Sequence, residues 1–293
     1  MARPCVAILS LLALAGTAAA NQPVPPFPAP PVLPHAAHSG YVAVDGVRLW
    51  YAEFGKGPPV VLIEGGLDTT DDWGYLAPEI AAHGYRAIVF DSRCQGRSTC
   101  VPAQLAYRLM ARDTVALMSA LHVARAAVVG YSDGGIIGLE MAVHFPRRVV
   151  SLFSYGANSN PGAFELGRLT AAEKQVDDES LAWSERVYRQ SSPTPNDFPA
   201  VAARIERMWK TQPHLTAAQL GTVRVPVWIV DGDRDMIERS DSDFMARAIP
   251  GGSELILPFA THYALWEYPK FFDAAVLRFL ASTDTRESTH EHH

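Results

Sequence analysis

The chain has 293 residues, 48% hydrophobic and 19% charged, with 21 Gly, 22 Pro and 3 Cys. That profile excludes a disordered, collagen-like or cysteine-stapled chain and leaves enough sequence for a sizeable core. Lys and Arg number 25 against 31 Asp and Glu, a net charge of −6, and no basic run occurs, which disfavours nucleic acid or an anionic membrane as partner.

Residues 1–20 begin with Arg3, continue with an apolar run over 6–14 and end in Thr17-Ala18-Ala19-Ala20. This is the order of a secretory signal peptide cleaved after Ala20. The run falls well short of the about 20 residues that span a bilayer, and no other run is long enough. The expectation is therefore a secreted or periplasmic protein with no stable membrane insertion. Cys5 precedes the apolar run, which does not support a lipoprotein cysteine. Residues 21–40 follow, dense in Pro (Pro23, Pro25, Pro26, Pro28, Pro30, Pro31, Pro34), where missing backbone donors and fixed φ favour an extended tether.

From Tyr41 short apolar runs alternate with helical stretches. Residues 42–44 and 47–51 read as a hairpin about Asp45-Gly46. Strands are expected at 60–63, 87–90, 126–129 and 149–155, and helices at 73–83, 111–121 and 134–144, the last stopping near Pro146. Between 158 and 222 no strand stands out, while 170–188 and 198–209 look helical around a Ser/Pro/Asn break at 191–196. The α/β rhythm then resumes with a strand at 225–230, a helix at 240–248, a strand at 254–257 and a helix at 269–280. The reading is one α/β core, 41–157 and 223–282, with a mostly parallel sheet flanked by helices and a helical cap insertion at 158–222. The polar tail 283–293, ending Glu291-His292-His293, is assigned no function.

Gly130-Tyr131-Ser132-Asp133-Gly134-Gly135 follows a strand and opens a helix. That is the setting of the G-x-S-x-G elbow, whose sharp turn lifts a serine hydroxyl clear of the sheet. After the strand at 225–230 comes Asp231-Gly232-Asp233-Arg234-Asp235, and after the strand at 254–257 comes Pro258-Phe259-Ala260-Thr261-His262. Serine, acid and histidine, each just beyond its own strand, would converge at the carboxyl ends of a parallel sheet. Ser132 is the candidate nucleophile and His262 its general base. Asp235 is the candidate orienting acid, with Asp233 the runner-up and Asp231 a further acid of the loop. The other histidines singled out, His35, His38, His83, His122, His144 and His214, fall in the tether or on helices and their ends. An oxyanion requires two donors: the amide of Asp133, and one from Glu64-Gly65-Gly66-Leu67, with Gly66 the choice and Leu67 the alternative. This constellation requires neither metal nor organic cofactor.

From 41 to 280 the chain resembles the α/β-hydrolase-fold serine hydrolases. The family's usual Asp-x-Arg-Gly-x-Gly-x-Ser stretch stands here as Asp91-Ser92-Arg93-Cys94-Gln95-Gly96-Arg97-Ser98, with Cys94 where Gly is usual, and the usual His-Gly stands as Glu64-Gly65. In detail it is most similar to the valacyclovir-hydrolase-like branch, through Gly130 to Gly135 and Gly156-Ala157-Asn158. That resemblance implies a serine carboxylic-ester hydrolase acting on a small-molecule ester. It also implies that Asp133 meets the α-amino group of amino-acid esters; the alternative is a turn acid favoured by the dipole of its own helix. Lactonase, amidase and carbon–carbon bond hydrolase activities use the same constellation, and a non-catalytic small-ligand-binding protein is a reading of a different class. Phe164, Leu166, Trp183, Tyr188 and Trp209 are candidates for either the pocket lining or the cap core. Once the signal is removed, Cys94 and Cys100 remain; in an oxidising compartment they form a disulfide if their geometry permits, and are two free thiols otherwise.

Overall fold

The computed structural model describes residues 26–28, 30–164 and 170–284. The expected signal peptide with Cys5, part of the Pro-rich segment (21–25 and 29), Leu166 and residues 285–293 of the tail lie outside the described residues. Eight strands form one sheet: β1 (His38–Val44), β2 (Val47–Gly55), β3 (Pro59–Ile63), β4 (Arg86–Phe90), β5 (Ala126–Tyr131), β6 (Val149–Tyr155), β7 (Val227–Gly232) and β8 (Gly252–Leu257). Their order is β1-β2-β4-β3-β5-β6-β7-β8. β1 and β2 pair antiparallel, as does β2 with β4, and every later pair is parallel.

Central strands read as unbroken apolar runs because both faces are covered. Along β3, Val61 and Ile63 join the core on one face while Val60 and Leu62 join the core on the other, and all four are fully buried. The first core takes in α2 (Tyr107–Ala120), α3 (Asp133–His144) and α7 (Arg239–Ala248); the second takes in α1 (Leu76–Ala82), α8 (Ala264–Glu267) and α9 (Pro269–Thr283). Between β6 and β7 run α4 (Ala171–Ser191), α5 (Phe198–Thr211) and the short α6 (Ala217–Leu220). Phe198, Val201, Ile205 and Met208 of α5 are buried in continuity with the first core, so this helix sits on the sheet domain as a cap. A Thr216/Gln219 capping box starts α6.

The loop after β4 is anchored by a buried ion pair. Arg93 meets Asp113 of α2 with both side chains nearly inaccessible, and one arm, Nη2 to Oδ1, measures 2.7 Å. Removing one partner would leave an uncompensated buried charge, at a cost of about 3–5 kcal/mol. The described part of the Pro-rich segment has no helix or strand before β1, yet it is not a free tether. Phe27 packs edge-on against Tyr263 and Trp266, with ring centroids 5.6 and 5.9 Å away, and the Leu33 amide donates to Asp71 at 3.2 Å.

Candidate active site

The carboxyl ends of β5, β7 and β8 bring three predicted side chains together. Ser132 stands between β5 and α3 with φ 52° and ψ −118°, a left-handed conformation that costs a non-glycine residue about 1–2 kcal/mol and is what the sharp elbow demands. His262 Nε2 lies 2.9 Å from Ser132 Oγ, and His262 Nδ1 lies 2.7 Å from Asp235 Oδ1. Asp235 Oδ1 also accepts the Ile237 amide at 3.1 Å. The other acids of that loop are placed elsewhere. Asp233 accepts the Ala260 amide at 3.1 Å, and Asp231 is buried beneath the loop, where desolvation and then the Asp235 charge push its carboxyl well above the usual range.

His262 is held from three sides. Glu267 of α8 accepts from the Thr261 amide and hydroxyl at 3.0 and 2.7 Å, and the Tyr155 hydroxyl donates to the Thr261 carbonyl. Gly156 follows β6 with φ 64°, and a Cβ there would meet His262 Cε1 at 2.6 Å, so the imidazole's place depends on that glycine. Burial works against the imidazolium, but the charge and hydrogen bond of Asp235 outweigh it and the ring's pKa is raised above its ordinary 6.5.

Across Ser132 lies the turn that follows β3. The Leu67 amide donates to Gln95 Oε1. Gly66 borders the cavity with Ser132 and His262, and a Cβ on it would collide with the Asp133 carboxyl and meet Trp209 Cζ2 at 2.8 Å. Glu64 is fully buried; its Oε1 accepts the Ser92 amide at 2.5 Å and Gln95 Nε2 at 3.0 Å. Burial, followed by the Asp91 charge, pushes this carboxyl up to about 8, so at neutral pH it is a neutral acid. The structure also joins Cys94 and Cys100 in a disulfide. Cys94 takes φ 69°, which explains the glycine usual at that position.

Asp133 is the first residue of α3, but its side chain does not turn back on its own helix. Oδ1 accepts the Tyr107 hydroxyl at 2.7 Å and Trp209 Nε1 at 2.9 Å, with Oδ2 3.0 Å from the same indole nitrogen. Both donors are neutral. Asp133 is 3% exposed, and desolvation drives its carboxyl up to about 6 despite the two hydrogen bonds. The cavity it borders has a volume of about 470 Å³ and lies over Ser132 and His262. Asp68 and Asp177 border it as well, held by Ser184 Oγ at 3.2 Å and the Tyr263 hydroxyl at 3.1 Å; burial pushes Asp68 up to about 7.

Of the cap aromatics, Phe164 and Trp209 line this cavity, 5.9 Å apart. Trp183 and Tyr188 do not. Trp183 lies under Arg186, and Tyr188 packs on Phe198 within the cap. Sequence reasoning missed Gln95, Tyr107, Tyr263 and Asp68. Gln95 stood inside a quoted motif and Tyr263 directly follows His262, but nothing local marked the other two. Among the described residues no group of three His, Cys, Asp or Glu could hold a metal ion, and no helix is long and apolar enough to cross a membrane.

A family described as alpha/beta hydrolase fold matches residues 58–211. This chain belongs to the α/β-hydrolase fold family. Serine hydrolase BPHL of Homo sapiens is 28% identical to it over 239 residues, 76% of this chain and 80% of that protein. Bifunctional epoxide hydrolase 2 of Sus scrofa is 33% identical over 124 residues, 41% of this chain and 22% of its own length; the chain thus spans less than a quarter of the epoxide hydrolases it matches. Among solved structures, a hydrolase from Pseudomonas aeruginosa PA01 superposes with a TM-score of 0.62 at 25% identity, covering 84% of this chain and 99% of that one. A serine hydrolase involved in carbazole degradation gives a TM-score of 0.71 at 22% identity over 83% of this chain and 98% of its own, which shows the common fold.

Proposed function

We propose that this α/β-hydrolase-fold protein is a serine hydrolase that cleaves carboxylic esters of small molecules through an acyl-enzyme intermediate. The observation that carries the reading is the continuous path Asp235–His262–Ser132, at 2.7 and 2.9 Å, opening into the cavity. Ser132 Oγ attacks the acyl carbon while His262 Nε2 takes its proton; the carbonyl oxygen becomes an oxyanion held by the amides of Asp133 and Gly66. Leu67 is the less suitable second donor because Gln95 already accepts its amide hydrogen. Collapse of the tetrahedral species expels the alcohol, protonated by His262. Water, deprotonated by the same imidazole, then releases the acid and restores Ser132. Asp235 keeps the imidazole in the required tautomer and stabilises its cation.

The epoxide hydrolase relatives raise a second chemistry, and the hydroxyl at 132 argues against it. An alkoxide opening an epoxide would leave an ether on the enzyme, which water activated by histidine does not cleave, whereas an acyl ester turns over.

The substrate reading within this class is an ester bearing a free amino group. Asp133 borders the cavity as an acid held by two neutral donors, and an ammonium would supply a charge-assisted hydrogen bond about twice as strong as a neutral one. Export belongs to the same proposal, supported by the N-terminal pattern and by a disulfide that suits an oxidising compartment. The test is a screen of acyl esters, amino-acid esters and lactones with wild type and Ser132→Ala side by side. Turnover of esters by wild type alone supports the reading, and tight binding without turnover of any of them contradicts it.

A further inference from the structure

The family's usual His-Gly is replaced here by Glu64-Gly65, and the group that holds the oxyanion turn comes from another loop. Gln95 is 2% exposed and lies inside the loop closed by the Cys94–Cys100 disulfide. Its backbone is fixed on both sides: its amide donates to the Ser92 carbonyl at 2.9 Å, and its carbonyl accepts the Ser98 amide at 3.0 Å. From that position the side chain makes three hydrogen bonds to the turn. Nε2 donates to Glu64 Oε1 at 3.0 Å and to the Gly65 carbonyl at 3.2 Å, while Oε1 accepts the Leu67 amide. Only one orientation of the carboxamide satisfies all three. A flip would set its NH2 against the Leu67 N–H and its oxygen against two acceptors.

The consequence follows from the planarity of the peptide bond. The Gly65 carbonyl and the Gly66 N–H belong to one trans peptide plane, in which oxygen and hydrogen point in opposite directions. A donor that fixes that oxygen therefore fixes the direction of the Gly66 N–H. The Leu67 bond fixes the next peptide, so Gly66 is clamped on both sides while its own amide is left for the substrate.

We propose that Gln95 is the positioning residue of the oxyanion turn, aiming the Gly66 amide at the developing oxyanion by holding the Gly65 carbonyl and the Leu67 amide. This rests on the serine-ester-hydrolase reading given above. The disulfide belongs to the same device because it closes the loop that presents Gln95. Arg204 of α5 reaches that loop as well, donating to Cys100 Sγ at 2.9 Å and to the Val101 carbonyl at 3.0 Å, so the cap and the oxyanion turn share one support.

The test compares wild type, Gln95→Met and Gln95→Glu on an ester that wild type hydrolyses. Kinetics are supplemented by the affinity of an alkyl boronic acid, which forms a tetrahedral anion on Ser132, and by thermal denaturation. Gln95→Met keeps the length of the side chain and loses all three hydrogen bonds; kcat should fall about 10²-fold, the scale of losing one oxyanion donor, with KM within about threefold and boronate affinity falling along with kcat/KM. Gln95→Glu keeps an acceptor for Leu67 and loses the donor to Gly65, and should fall between the two. Folded variants with wild-type kcat and boronate affinity, or a change confined to KM, would overturn the inference while leaving the serine mechanism standing. If Gln95→Met does not fold, Gln95→Glu at wild-type kcat is sufficient to overturn it. Absence of both ester turnover and boronate binding in wild type would instead remove the underlying reading.

Discussion

On one side of Ser132 the chain supplies His262 and Asp235 from the loops that follow β8 and β7; on the other, the Gly65–Leu67 turn that follows β3 is held by the Gln95 side chain from the loop that follows β4. The first side uses groups whose chemistry is visible in their residue types, a histidine and an acid each just past a strand. The second uses groups of ordinary type. Gln95 is a neutral amide, and Glu64 is an acid kept neutral by burial. The lesson is that proton transfer demands particular side chains, whereas holding a backbone amide in place demands only a donor and an acceptor at the right separation. Many residues satisfy that second demand, so it leaves little trace in one sequence.

The largest expected effect is on the first side. Ser132→Ala and His262→Ala should each lower kcat on a good ester by about 10⁶-fold, nearly as much as removing both, because such groups act as a unit; additive losses in the double variant would mean that the two side chains act independently. Gly66→Ala probes the second side with Gln95 itself unchanged. Its Cβ has no room beside Asp133 and Trp209, and displacement of the amide should lower kcat about 10²-fold, whereas an unaffected kcat would remove Gly66 from the oxyanion site.

Asp133 joins the two sides, since it directly follows Ser132 while its carboxyl meets Tyr107 of α2 and Trp209 of α5. Asp133→Asn should reduce the preference for free-amino over N-acetyl esters about tenfold, a differential of roughly 1.4 kcal/mol, measured as a ratio of kcat/KM values. Equal preference in both proteins would leave the carboxyl a tie between core and cap.

Smaller still are the pH effects. His262 must be neutral to accept a proton, and its pKa is raised, so kcat/KM should climb with pH through a limb lying above 6.5. A limb below that value would contradict the ion pair with Asp235. Glu64 binds a proton in the folded state up to about pH 8 but in the unfolded chain only up to about 4.5. Its contribution to stability is complete below the lower value and is lost as pH rises toward the upper one. Thermal denaturation of Glu64→Gln should therefore show a shallower decline in Tm between those pH values than wild type.

The sheet was legible because β3 to β6 are buried on both faces and appear as apolar runs, and because the Asp45-Gly46 turn marks the hairpin. The order of Ser132, Asp235 and His262 was legible for the reason given above. What escaped was long in sequence separation. Tyr107 reaches Asp133 from another helix, and Phe27 docks on Tyr263 and Trp266 from a segment whose proline content announces only extension. The short α8, whose Glu267 fixes the Thr261 backbone, is too brief to show a helical period. Cap aromatics could not be sorted because helical spacing places Trp183 and Trp209 alike on a helix, and only packing decides which one faces the cavity.

The most direct measurement is covalent. The intact protein is treated with a fluorophosphonate, with and without a saturating ester, and the adduct is located by peptide mapping. One phosphonyl group is expected on Ser132, slowed by the ester and formed in step with loss of turnover. An adduct on a different serine, or full turnover by the protein labelled at Ser132, would contradict it.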